Sequence, residues 1–143
     1  GTGATVVRLK GSQVETLWRS DEVLNNHYVT SVYKDGVLYG LHGRQEYSPS
    51  LRAVDWNTGE VLWSEESFGS GSVIVAGDRL LILREDGELM MVSVSPKRYE
   101  VISHTQILQG TVRAYAAISN GLYYARDQNT LICMNLRPEI LNR

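Results

Sequence analysis

The sequence predicts an all-β fold: a partial β-propeller of four-stranded antiparallel blades, about three of them and not closed. Three observations predict it. Two independent sequence elements recur with a shared period, as stacked repeat architectures require. Short turns rich in Gly, Asp and Asn separate strand-like runs throughout the chain. Several of those runs, such as Val73-Ile74-Val75 and Leu80-Leu81-Ile82-Leu83, are apolar on both faces, so each sheet needs cover on both sides.

The first recurring element is a strand, a turn and a strand that closes on tryptophan. "VVRLKGSQVETLW" (6–18) aligns without a gap to "LRAVDWNTGEVLW" (51–63), which places Glu15 on Glu60, Leu17 on Leu62 and Trp18 on Trp63. A weaker third repeat runs over 89–103, with Ser103 at the Trp position, and a fourth starts at "LICMNLRP" (131–138). The second element is a two-residue turn before a strand, in "YKDGVLYGL", "VAGDRLLIL" and "ISNGLYYAR". Its turn residues Gly36, Asp78 and Gly121 lie 42 and 43 residues apart.

Taken in order, the chain reads as one propeller segment over 1–143. Residues 1–18 end a preceding blade, 19–63 and 64–103 are whole blades, and 104–143 are an incomplete blade. In the best repeat the strands are expected at "HYVTSVY", "VLYGLHG", "LRAVD" and "EVLWSE", joined by Asp35-Gly36, by "RQEYSPS" and by Asn57-Thr58-Gly59. Gly and Asn accept the positive φ of tight antiparallel turns. No window carries a sustained helical apolar stripe, so little or no helix is expected.

Composition bounds the function. The 143 residues carry a net charge of -2 and no Lys/Arg run, which argues against a nucleic-acid partner. No apolar stretch is long enough for a membrane span. Cys133 is the single cysteine, so an internal disulfide and paired-cysteine metal sites are excluded. His27, His42 and His104 share no metal-ligand spacing. The serines near "GSGS" (69–72) stand in no nucleophile-elbow context and read as a linker between blades.

"AVDWNTGEVLW" matches the A-x-D-x-x-T-G-x-x-x-W signature of the pyrroloquinoline-quinone-type (PQQ-like) propeller repeat through Ala53, Asp55, Thr58, Gly59 and Trp63. The chain therefore resembles that family, which includes quinone-dependent dehydrogenases and the propeller lipoprotein of bacterial outer-membrane assembly. The other repeats depart from the signature: in the gapless alignment Lys10 takes the Asp55 position and Val14 the Gly59 position.

In such a signature the Asp accepts turn amides, Thr adds a hydroxyl, Gly supplies positive φ, and Trp63, like Trp18, covers the neighbouring sheet. These are structural roles. The resemblance implies a non-catalytic scaffold or protein-interaction module of a bacterial envelope protein, periplasmic or extracellular, with no cofactor. The alternative is a fragment of a quinone-dependent dehydrogenase holding PQQ and calcium. The vicinal disulfide of those enzymes is ruled out here by the single Cys133, and the acidic residues form no spaced oxygen-ligand loop. A glycan- or peptide-binding propeller using Tyr115, Tyr123 and Tyr124 is the second alternative.

The longest loop carries His42, Arg44 and Tyr47, the expected partner contact. A segment of this length is not expected to close a ring by itself. The expected partners are therefore a protein, the remainder of a propeller, or further copies of the chain in a homo-oligomer.

Overall fold

The computed structural model describes residues 3–137. Four antiparallel sheets follow one another along the chain. The first is a hairpin of β1 (Ala4–Lys10) and β2 (Gln13–Ser20). The second is a four-stranded meander of β3 (Val32–Lys34), β4 (Val37–His42), β5 (Ser50–Asp55) and β6 (Val61–Glu65). The third repeats that order with β7 (Gly71–Ala76), β8 (Arg79–Arg84), β9 (Glu88–Ser93) and β10 (Val101–Gln106). The fourth contains β11 (Ala117–Ser119), β12 (Leu122–Arg126) and β13 (Leu131–Asn135). One 3-10 turn, Gln45–Tyr47, interrupts the loop between β4 and β5.

Turn chemistry sets the hairpins. Asp35-Gly36 and Asn120-Gly121 both hold two consecutive positive φ angles (48° and 85°, 50° and 73°), the backbone that matches a two-residue antiparallel turn. The expected strand "HYVTSVY" is shorter than its composition implies, because only Val32 and the two residues after it pair with β4. Upstream, Thr30 N–H donates to the Tyr115 hydroxyl, and Ser31 bonds the Asn26 side chain. The backbone of 27–31 is thereby drawn out of the sheet. Residues 138–143, part of the expected last blade, lie outside the described residues.

Strand register corrects the gapless alignment of the repeats. Val6 pairs with Trp18, Ala53 with Trp63 and Met91 with Ser103, and each pair sits beside an irregularity in the ladder. Val6 therefore occupies the place of Ala53, and Arg8, not Lys10, the place of Asp55. The first and third repeats each carry two more residues than the second between these partners. The gapless alignment hid this difference because it kept the tryptophans in step and shifted the strand before them.

Each sheet has one face turned toward the next sheet along the chain, here its forward face, and one turned back. Tyr39, Leu41, Leu51 and Ala53 on the forward face of the second sheet pack on Val73, Leu80, Ile82 and Val92 of the third. The third sheet's forward residues Leu81, Leu83 and Leu89 pack in turn on Tyr123 and Ala125 of the fourth. This explains the strands that are apolar on both sides: the third sheet is covered twice, and Leu80 to Leu83 are all no more than 2% exposed.

Candidate functional site

In a meander, the turns within the β3–β4 and β5–β6 pairs lie at one end, and the β4–β5 loops lie at the other with the connections between sheets. The two ends differ in chemistry. At the first end sits the signature turn. Asp55 Oδ1 accepts from the Asn57 N–H (2.9 Å), the Thr58 N–H (2.9 Å) and the Thr58 hydroxyl (3.1 Å). Glu60 N–H donates to Thr58 Oγ1, and Gly59 closes the turn at φ 75°. The Thr58 N–H, followed by the Thr58 hydroxyl and the Asn57 N–H, holds the Asp55 carboxyl below the usual carboxylate range.

The tryptophans link neighbouring sheets. Trp18 Nε1 donates to the Trp56 carbonyl (2.9 Å), and its ring lies over Gly59, where a Cβ would come within 2.8 Å of Cδ2. Trp63 Nε1 donates to the Ser95 carbonyl (2.8 Å), and its ring meets Tyr39 and Tyr99 at centroid separations of 6.0 and 5.8 Å. Ala53 is fully buried under that contact. The signature residues thus form one turn and its packing, with their polar atoms directed at backbone.

The opposite end is a chain of loops that hold one another. Gly43 N–H donates to Asn25 O, Gly69 N–H to Pro49 O, Glu85 N–H to Ser70 O and Val112 N–H to Glu85 O. Asp127 anchors the last of them: Oδ1 accepts from Asn129 and Thr130 N–H (2.8 and 2.7 Å), and Oδ2 from Gly110 N–H (3.0 Å). These bonds hold its carboxyl below the usual range, with the Asn129 N–H the largest cause. Sequence reasoning missed Asp127, although the signal was present: "DQNT" (127–130) repeats the pattern of "DWNT" (55–58).

Between these loops runs an open polar groove of about 390 Å³, lined by Ser70, Arg84, Glu85, Asp86, Thr111 and Arg113. A second hollow of about 130 Å³ shares Thr111 and Arg113 and extends to Arg126 and Asp127. Cations and carboxylates alternate along both. Arg113 pairs with Glu85 (2.7 Å), and Arg84 with Asp86 (3.3 Å) and Glu88 (2.8 Å).

These pairings bear on the calcium that a quinone enzyme would require. A calcium ion takes six to eight oxygen ligands, and here the groove's carboxylates already face arginines. The groove's residues do not fit that ion. Among the described residues, no three His, Cys, Asp or Glu side chains converge as a metal site needs.

Of the three residues expected to contact a partner, the structure turns two outward. Tyr47 is 82% exposed, and among the described residues Arg44 reaches its neighbour Glu46 (3.5 Å). His42 is half-buried, and its Nδ1 accepts the Asn25 N–H at 3.0 Å. Burial, followed by the nearby Arg52 charge, pushes its pKa down. His42 pins the connection from the first sheet and is separate from the groove.

No family model matches the chain, and no curated protein does. Among solved structures, BamB from Moraxella catarrhalis is similar over 83% of this chain at a TM-score of 0.60 and 16% identity. The fold is a partial β-propeller. This chain spans 33% of that protein's length. The computationally designed Ika4 protein matches 80% of this chain and 96% of its own, at a TM-score of 0.42 and 7% identity. No helix among the described residues is long and apolar enough to cross a membrane.

Proposed function

We propose that this chain is a non-catalytic propeller segment of the PQQ-like type, working in a bacterial envelope compartment, whose loop end binds a protein partner. The observation that carries this reading is the groove through Ser70, Asp86, Thr111 and Arg113, with its alternating charges on loops fixed by two packed sheets. Fixed loops cost little ordering entropy on binding, and alternating charge selects a complementary polypeptide rather than a uniformly charged polymer. The carbonyl-directed tryptophans and the backbone-directed Asp55 and Asp127 make the scaffold that holds those loops. The fold likeness to BamB supports the envelope reading.

The test is site-specific photo-crosslinking in bacterial cells, with the probe at Thr111 or Asp86 in the groove and at Asn57 or Lys97 on the opposite end. Adducts confined to the groove positions are expected, and those from Asp86 should be lost when Thr111→Trp fills the groove. Equal labelling from both ends would overturn the reading. So would stoichiometric retention of PQQ with calcium by the purified chain, which would favour the dehydrogenase alternative.

A further inference from the structure

The register places equivalent residues of the sheets in columns. Tyr39, Leu81 and Tyr124 share one column, Leu51, Leu89 and Leu131 a second, and Ala53, Met91 and Cys133 a third. In the second and third sheets these forward positions are covered by the next sheet: Tyr39 and Leu51 are fully buried, and Leu81 and Leu89 nearly so. In the fourth sheet the same columns are open. Leu131 is 74% exposed, Tyr124 37%, and Cys133 is also exposed. The charged residue among them, Arg126, turns its Nε to the Asp127 carbonyl. Among the described residues, the fourth sheet thus keeps Tyr124, Leu131 and Cys133 uncovered on its forward face.

The first sheet has the complementary property. Val6 and Trp18 face the second sheet, so the alternate residues Val7, Leu9, Val14 and Thr16, paired across the hairpin, face backward. Val7 stands in the column of Val54 and Val92, both fully buried, Val92 in the cluster formed with the preceding sheet, and Leu9 in the column of Val94. Yet Leu9 is 71% exposed, Val14 64% and Val7 41%, with Arg19 the charged residue at the far end of that face. Within the chain, every sheet-to-sheet contact joins a forward face to a backward face. Among the described residues, one face of each kind is open.

We propose that a second copy of this chain docks head to tail, the backward face of its β1–β2 hairpin covering the forward face of the fourth sheet around Tyr124, Leu131 and Cys133. The interface is heterologous, so copies add in one direction and stop only when a ring closes. It buries apolar surface that the internal repeats bury in the same columns, which supplies the driving force. This inference is independent of the loop-end reading, because neither face lines the groove of about 390 Å³, and Tyr124, Leu131 and Cys133 lie outside the adjoining hollow.

Sedimentation velocity of the intact chain tests it with two single variants, Leu131→Glu on the forward face and Leu9→Glu on the backward face. The wild type should assemble beyond the monomer as concentration rises, and each variant alone should stay monomeric. An equimolar mixture of the two variants should form a one-to-one dimer that grows no further, since it retains one intact face of each kind. That outcome excludes a symmetric interface. Circular dichroism and thermal midpoints like those of the wild type certify folding, with Leu131→Ser and Leu9→Ser as milder substitutes. A wild type that remains monomeric overturns the proposal, as does assembly that survives both changes, or a mixture that yields no dimer.

Discussion

The indole N–H of Trp63 donates to the carbonyl of Ser95 at 2.8 Å, joining the last strand of the second sheet to the turn after β9 in the third. Trp18 makes the corresponding bond to Trp56 one sheet earlier, at 2.9 Å. Trp63→Phe keeps much of the ring burial and removes the donor, so it should cost about 1 kcal/mol in urea unfolding. Trp63→Ala also removes the packing on Tyr39 and Tyr99 and should cost about 3 to 5 kcal/mol. If Phe and Ala are equally destabilising, the hydrogen bond rather than the ring is what joins the sheets.

The turn carboxylates set the acid limit of stability. Backbone N–H donors hold Asp55 and Asp127 below the usual carboxylate range in the folded chain. The unfolded chain therefore binds protons first as pH falls. The stability these groups contribute is complete above the unfolded carboxylate value of about 3.9 and disappears as pH drops through their lower folded values. Asp127→Asn should lower stability at pH 7 and flatten the acid limb of a plot of unfolding midpoint against pH. An unchanged acid limb would mean that other carboxylates control it.

His42 works in a different window. Burial and Arg52 lower its pKa, so the folded chain keeps the ring neutral while the unfolded chain takes up a proton near the ordinary value of about 6.5. Its contribution is complete above that value and declines as pH falls toward the lower folded value. His42→Asn leaves a side-chain oxygen to accept the Asn25 N–H and has no proton to gain. Its stability should vary less than that of the wild type as pH falls below about 6.5. Equal slopes would refute the assignment.

Tyr123 is fully buried, and its hydroxyl has no hydrogen-bond partner among the described residues. Burial pushes its pKa well up. Tyr123→Phe removes a desolvated polar atom and keeps the ring, so stability should be unchanged or rise by about 1 kcal/mol. A clear loss on denaturation would show that the hydroxyl is satisfied in solution.

Much of the architecture is legible because local chemistry repeats with the fold. Asp35-Gly36 and Asn120-Gly121 locate hairpins by backbone preference alone, and the doubly apolar Leu80 to Leu83 run announces a sheet covered on both sides. Boundaries are less legible where long-range contacts compete. "HYVTSVY" has strand composition, but Thr30 is drawn toward Tyr115, 85 residues away. Asp127 could have been found from "DQNT", while the groove could not, because Ser70, Asp86 and Thr111 come from three separated loops.

The sequence by itself determined the repeat, the turns and the apolar columns, since each depends on residues close in the chain and on the two-residue period of a strand. The tertiary structure decided the register that puts Arg8 rather than Lys10 in the Asp55 position and the internal anchoring of His42. It also decided that the column burying Leu51 leaves Leu131 open. These outcomes depend on which surfaces meet, and burial is a property of the pair of faces in contact, which no single strand encodes.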